Sequence, residues 1–287
     1  MAEPSCEIAT HTASDGYGWH YRHYAPPVNS PRRGRVVYLH GIQSHGGWYQ
    51  HSCERVARVG FDVYFLDRRG AGLNQPARGD TPSFQRLLDD IVEFLDIHPA
   101  GSKGATIVVG ISWGGKLAAA LPSYRTSLID GVVLLCPGFF PKLTPRMKRH
   151  SRFLRLVKAV FPRYRVSIPL SDPTLFTTTP VWLEFLRQDP LALLKATARF
   201  LCASLDLDRY LRRTPESFHL PVLLMLAGQD RIIENAATRQ YVEQFATPDR
   251  EILEYPQAHH TLEFEPQPDQ FIEDLIAWLL RHTKSDP

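Results

Sequence analysis

The stretch ATIVVGISWGGKLAAA, residues 105–120, decides the fold, and it can be parsed in two ways. Gly110-Ile111-Ser112-Trp113-Gly114 fits G-x-S-x-G, a sharp strand-to-helix turn that exposes a serine hydroxyl. Gly110 to Lys116 also spells G-x-x-x-x-G-K, the opening of a phosphate-cradling loop. Both sit between an apolar β-branched run and a small-residue helix, so local structure does not arbitrate. The phosphate reading needs a Ser or Thr after the lysine to hold Mg²⁺, and an aspartate closing a later strand. Leu117 stands in the first place, and the strand DGVVLLCPG (130–138) ends in Cys136-Pro137. Lys116 is then simply a helix residue.

The serine reading asks for an acid and a histidine further on, in the order Ser, Asp, His. Asp230 follows Ser112 by 118 residues, just after the apolar run VLLMLAG, and His260 follows 30 residues later, after EILEYPQAH. Both fall at C-terminal ends of expected strands, the edge where α/β sheets bind ligands. His260 can take the Ser112 proton, and a buried Asp230 can fix its tautomer and stabilise the imidazolium. The Trp113 backbone N–H, at the start of the helix, can face a developing oxyanion. A second donor comes from LHGIQSHGG, where His40-Gly41 brings the Ile42 N–H close.

Outward from that turn the chain alternates. Strands are expected at 35–41, 61–70, 105–112, 130–138, 221–230 and 250–256, with amphipathic helices between them. One of these helices lies within 81–98, where Phe84, Leu87, Leu88, Ile91, Phe94 and Leu95 keep a helical period. Residues 5–26 read as a hairpin turning at Asp15-Gly16. Continuous apolar strands with helices between them predict an α/β class: a mostly parallel twisted sheet covered on both faces. The alternation lapses from 139 to 218, a proline-punctuated region of expected helices at 146–161, 180–187 and 190–206. The expected organisation is a first core part at 1–138, a helical cap at 139–218 inserted after the sixth strand, and a second core part at 219–287.

At 287 residues, 44% hydrophobic and 22% charged, the chain has the composition of a globular protein with a full core. Its net charge of +3 is local: nine Lys/Arg and no acid lie within 141–165, and without them 24 basic residues face 30 acidic ones. That gives little reason to expect nucleic-acid binding. Cys6, Cys53, Cys136 and Cys202 are scattered, which argues against a zinc site or a disulfide framework and suits a reducing cytosol. No apolar run spans a bilayer and no secretory leader is expected. No cofactor, metal or obligate protein partner is implied. In the basic segment, Met147, Leu154, Val157 and Phe161 share one face, widened by Phe153, Leu156 and Val160. Residues 146–165 are therefore a candidate peripheral contact with an anionic membrane, or a receiver for an anionic substrate. Asp67-Arg68-Arg69-Gly70 reads as a structural corner in which Asp67 holds loop backbone.

The stretches YLHGIQSHGGWY, FLDRRGAGLN, VVGISWGGKLA, VLLMLAGQDRII and YPQAHHTLEFEP, in this order along nearly the whole chain, resemble the α/β-hydrolases. Specifically they resemble the monoacylglycerol lipase / lysophospholipase group, which shares its pattern with serine aminopeptidases. That resemblance implies catalytic roles for Ser112, Asp230 and His260, backbone oxyanion donors at Ile42 and Trp113, and a cap over 139–218. Its pattern of Ala, any residue, His, any residue, Leu selects His260 over the adjacent His259. The chain departs from many members, which have His and Met where Ile111 and Trp113 stand. The implied chemistry is cofactor-free cleavage of an acyl or lipid-like ester. The alternatives are a peptidase, thioesterase or acyltransferase with the same triad, or a binding protein on the hydrolase fold.

Overall fold

The computed structural model describes residues 5–100, 104–142 and 151–283. Eight strands form one sheet in the order β1-β2-β4-β3-β5-β6-β9-β10. These are β1 (Ser5–Thr12), β2 (Gly18–Ala25), β3 (Gly34–Leu39), β4 (Phe61–Leu66), β5 (Ala105–Ile111), β6 (Gly131–Leu135), β9 (Val222–Ala227) and β10 (Arg250–Tyr255). Pairing from β4 through β10 is parallel, while β1 and β2 join antiparallel. The parallel centre is apolar on both faces because helices cover both, and β3, β6 and β9 are buried along their whole length.

Local sequence explains the main helices. Phe84–Ile97 starts where the Ser83 side chain accepts from Arg86 N–H, and it buries Phe84, Leu87, Leu88, Ile91, Phe94 and Leu95 at helical spacing. Trp113–Tyr124 is buried nearly all round, so its Gly, Ala and Leu residues can lie close against β5 and β6. On the other face Gln50–Arg58 and Asp269–His282 pack together, with Trp278 and Leu275 fully buried. Each such Leu or Phe contributes roughly 1.5–3 kcal/mol.

Between β6 and β9 the described elements are a helix Ser151–Val160, β7 (Arg165–Ser167), a 3-10 helix Pro173–Leu175, helix Pro180–Gln188, β8 (Lys195–Thr197), helix Ala198–Leu211 and the short helix Thr214–Ser217. The helix expected at 190–206 begins instead at Ala198, capped by the Thr197 side chain on Phe200 N–H. The residues before it pair as β8 with β7, a contact between distant segments that no local pattern announces. The start of the expected helix 146–161, with Arg146, Met147 and Arg149, lies outside the described residues. Its apolar face is divided: Leu154 and Val157 are half-buried, whereas Leu156, Val160 and Phe161 are exposed. Phe200, Leu207 and Leu211 share one apolar cluster with Leu117 and Leu121, so Ala198–Leu211 is fastened to the main body.

Candidate active site

Ser112 stands between β5 and helix Trp113–Tyr124 with φ 49° and ψ −120°. This left-handed conformation costs a residue with a side chain about 1–3 kcal/mol. Three bonds hold it: Ser112 N–H donates to Leu135 O at 2.9 Å, and Ser112 O accepts from Gly115 N–H at 2.9 Å and Gly138 N–H at 2.7 Å. The motif glycines serve close approach rather than unusual φ. A Cβ on Gly110 would lie 2.5 Å from Ala118 Cβ, and one on Gly114 would lie 2.1 Å from Leu39 O.

His260 Nε2 lies 2.9 Å from Ser112 Oγ, and its Nδ1 lies 2.7 Å from Asp230 Oδ2. The other Asp230 oxygen accepts from Ile232 N–H at 2.7 Å and Ile233 N–H at 2.9 Å, which fixes the carboxylate plane. Burial pushes the Asp230 pKa up, but the His260 ring and these N–H donors outweigh it and hold the carboxyl below its usual range. An ionised Asp230 selects the tautomer with the proton on Nδ1, leaving Nε2 free to accept from Ser112. His259 and the two other acids that flank or lie in β10, Asp249 and Glu254, are engaged elsewhere. His259 bonds Glu265, Asp249 faces His282 and Glu254 pairs with Arg239. Lys116, from the phosphate-loop parsing, pairs with Asp208 at 2.6 Å.

The backbone at Gly41 passes beside the nucleophile: a Cβ there would lie 3.6 Å from Ser112 Oγ. Among the described residues, neither Ile42 N–H nor Trp113 N–H donates to a backbone acceptor. The Trp113 indole is taken up by helix Ala198–Leu211, donating to Ser204 Oγ at 2.9 Å and packing on Phe200. The loop 40–48 is tied across to the segment near 190. His45 Nε2 and Trp48 Nε1 both reach Asp189, and Leu193 N–H donates to Gln43 O at 2.9 Å.

The corner 67–70 divides in function. Asp67 does hold backbone, accepting from Gly46 N–H at 2.7 Å and Leu73 N–H at 2.9 Å. Arg69 pairs with Asp90 and Asp15. Arg68, which sequence reasoning passes over, reaches the carbonyls of Gly41 and Ile42. Nothing in the Arg68-Arg69 dipeptide separates the two roles.

The Cys136, Asp230 and His260 donor atoms lie within 4.8 Å of one another. A cation there would have to displace the His260–Asp230 contact. Burial and then the Asp230 charge push the Cys136 thiol pKa well up, so it is a neutral neighbour.

Glu263 fastens the turn after His260 to helix Gln50–Arg58, accepting from Ser52 N–H at 3.0 Å. Its second oxygen has no partner among the described residues, and burial pushes its pKa up to about 7. A folded-state pKa above the unfolded value means stability that is fully present below about pH 4.5 and lost as pH rises past 7. The span corresponds to about 3 kcal/mol. Glu263→Gln is expected to flatten the dependence of the melting temperature on pH between 5 and 8 and to be the more stable form at pH 8. An unchanged pH slope would show that the carboxyl ionises normally.

The family described as "Serine aminopeptidase, S33" matches residues 30–267. The monoacylglycerol lipase of Mycolicibacterium smegmatis is 26% identical over 266 residues, covering 89% of this chain and 91% of that protein. An uncharacterized abhydrolase domain-containing protein of Dictyostelium discoideum is 26% identical over 248 residues, 85% of this chain. The chain spans only 26% of that longer relative. Among solved structures, a soluble variant of monoglyceride lipase from Saccharomyces cerevisiae, in complex with a substrate analog, superposes with a TM-score of 0.85. The match covers 99% of this chain and 97% of that one at 21% identity, a likeness of fold.

Proposed function

The chain belongs to the serine aminopeptidase S33 family, and from that premise we propose that it is a serine hydrolase of carboxylic esters carrying an acyl or lipid-like group. Its named relatives include the mycobacterial monoacylglycerol lipase. The observation that carries the reading is the continuous chain from Ser112 Oγ through His260 to Asp230, at 2.9 and 2.7 Å.

Ser112 attacks the ester carbonyl while His260 Nε2 takes its proton. The tetrahedral oxyanion accepts from Ile42 and Trp113 N–H, each such donor supplying about 3 kcal/mol of transition-state stabilisation. As the intermediate collapses, His260 protonates the leaving alcohol and Ser112 retains the acyl group. Water activated by His260 then releases the acid. The described residues of the 139–218 segment act as a cap over this edge, the Phe176 ring lying 6.0 Å from the His260 ring.

The aminopeptidase alternative needs carboxylates free to bind a substrate ammonium. Asp172 bonds Thr174, Asp189 is taken by His45 and Trp48, and Asp206 pairs with Arg155 and Arg209. Glu184 pairs with Arg187. A panel of esters of rising acyl length, run beside thioesters and amino-acid amides, tests the reading. The expected result is kcat/KM rising with acyl length and highest for an ester; preference for amino-acid amides would contradict it.

The exposed Leu156, Val160, Phe161 and Tyr164 stand beside Arg163 and Arg165. This combination supports peripheral contact of the 151–165 region with an anionic membrane. Leu156→Ser/Phe161→Ser is expected to lower sedimentation with anionic vesicles while leaving turnover of a water-soluble ester unchanged; equal sedimentation would remove the contact. No helix among the described residues is long and apolar enough to cross a membrane. The four cysteines are unpaired, which supports a cytoplasmic setting for the protein.

A further inference from the structure

We propose that Arg68 is a positioning residue for the oxyanion donors, gripping the carbonyl end of the Gly41–Ile42 peptide that carries one of them, packing on the Trp113 side chain of the other, and setting behind them a positive charge with no ion-pair partner among the described residues. The proposal rests on the ester-hydrolase reading above.

Gly41 C=O and Ile42 N–H are opposite ends of one trans planar peptide, so fixing the oxygen fixes the direction of the N–H. Two donors hold that oxygen: Arg68 Nη1–H at 3.0 Å and His40 Nδ1–H at 2.7 Å. Arg68 also sets the His40 tautomer, because its own backbone N–H donates to His40 Nε2 at 2.9 Å and leaves the ring proton on Nδ1. Burial, and then the Arg68 charge, hold His40 well below its usual pKa, so this ring stays neutral. The second guanidinium nitrogen donates to Ile42 O at 3.0 Å and steadies the next peptide. On its far side the guanidinium lies 4.9 Å from the centre of the Trp113 ring and 5.2 Å from that of Phe200. Arg68 thus touches the residues of both donors.

Charge makes the arrangement more than a brace. Arg68 is buried, and among the described residues no carboxylate forms an ion pair with it. Its Nε has no hydrogen-bond partner among the described residues. The nearest acid in sequence, Asp67, is engaged by Arg22, Gly46 and Leu73. Burial weighs against the guanidinium, and the Asp67 charge favours it only through space, without an ion pair, so the cation is partly compensated. A buried cation left so is costly, and protein interiors ordinarily pair it. Here the missing negative charge is the oxyanion of the tetrahedral intermediate, which forms at the other end of the peptide that Arg68 polarises. The attraction is weak for a neutral ester and strong once the oxygen is charged, which is the condition for accelerating the chemical step.

Arg68→Met keeps length and removes charge; Arg68→Lys keeps charge and loses the fork. Both are compared with wild type in melting temperature, in kcat and KM on one soluble ester, and in two affinities. One ligand is a trifluoromethyl ketone, which adds Ser112 Oγ to form a charged hemiketal. The other is the corresponding secondary alcohol, which stays neutral. The expected result for Arg68→Met is a kcat lower by about 100-fold, the scale of losing one oxyanion donor. KM should stay nearly unchanged, with ketone affinity falling in parallel with kcat and alcohol affinity untouched. Arg68→Lys should recover part of both, and it carries the comparison if the methionine variant does not fold. A purely structural role would weaken both ligands alike and lower the melting temperature; that result, or wild-type kcat in a folded Arg68→Met, overturns the proposal alone. A wild type that turns over no ester and forms no ketone adduct overturns the proposal together with the hydrolase reading.

Discussion

Ser112→Ala is expected to lower kcat on a carboxylic ester by about 10⁵- to 10⁶-fold, with KM changed little. In the proposed mechanism the hydroxyl is the atom that forms the bond, and what survives its loss is binding and the oxyanion donors acting on water. The fold should not suffer. Alanine at φ 49° bears the same backbone strain, the three bonds to the Ser112 backbone remain, and only the Oγ contact with His260 is lost. Because nucleophile and base act as one unit, His260→Ala should cost about as much. The Ser112→Ala/His260→Ala double variant should then cost no more than either single change. Steady-state kinetics on the three proteins check this; losses that multiply would show that the two side chains act independently.

The second large effect is at Asp230. In Asp230→Asn the amide oxygen can still accept from Ile232 and Ile233 N–H, so the loop keeps its geometry. The amide NH₂ then faces His260 Nδ1, where a carboxylate oxygen lay at 2.7 Å. That nitrogen must accept, the ring proton moves to Nε2, and Nε2 cannot take the serine proton. The expected loss in kcat is about 10⁴-fold, smaller than for Ser112→Ala because nucleophile and oxyanion donors persist. Measuring kcat beside the melting temperature separates this from unfolding. A folded variant within tenfold of wild type would move the acid's role to another residue.

These residues were legible because each is marked by local chemistry. Gly110 and Gly114 are required where β5 and its helix approach within contact distance of Ala118 and Leu39, and a motif reader sees them as fixed positions. Asp230 and His260 follow apolar runs that become buried parallel strand and edge strand, and a strand's end is visible from where the run stops. The sheet was readable for the same reason, since a strand buried on both faces has no polar alternation to confuse it.

What was not legible depends on contacts between distant segments. The helix expected at 190–206 starts at Ala198 because Lys195–Thr197 pair with Arg165–Ser167. Asp189 is an ordinary loop acid until the fold brings it to His45, 144 positions away in the chain. Arg68 is the sharpest case. Its neighbour Arg69 ends in a carboxylate pair, as arginines commonly do, while Arg68 ends on two carbonyls and two aromatic faces. A sequence shows that a cation is present, but not that no carboxylate among the described residues forms an ion pair with it. The apolar face at 151–165 is ambiguous in the same way, because periodicity shows a stripe without showing how much of it the core covers.

The hydroxyl of Ser112 is the proposed nucleophile. The most direct measurement is peptide mapping by mass spectrometry after reaction with a fluorophosphonate. One phosphonyl adduct on Ser112, absent from Ser112→Ala and strongly slowed in His260→Ala, is the predicted result. No adduct on the folded wild type, or an adduct on another residue that persists in Ser112→Ala, would contradict it.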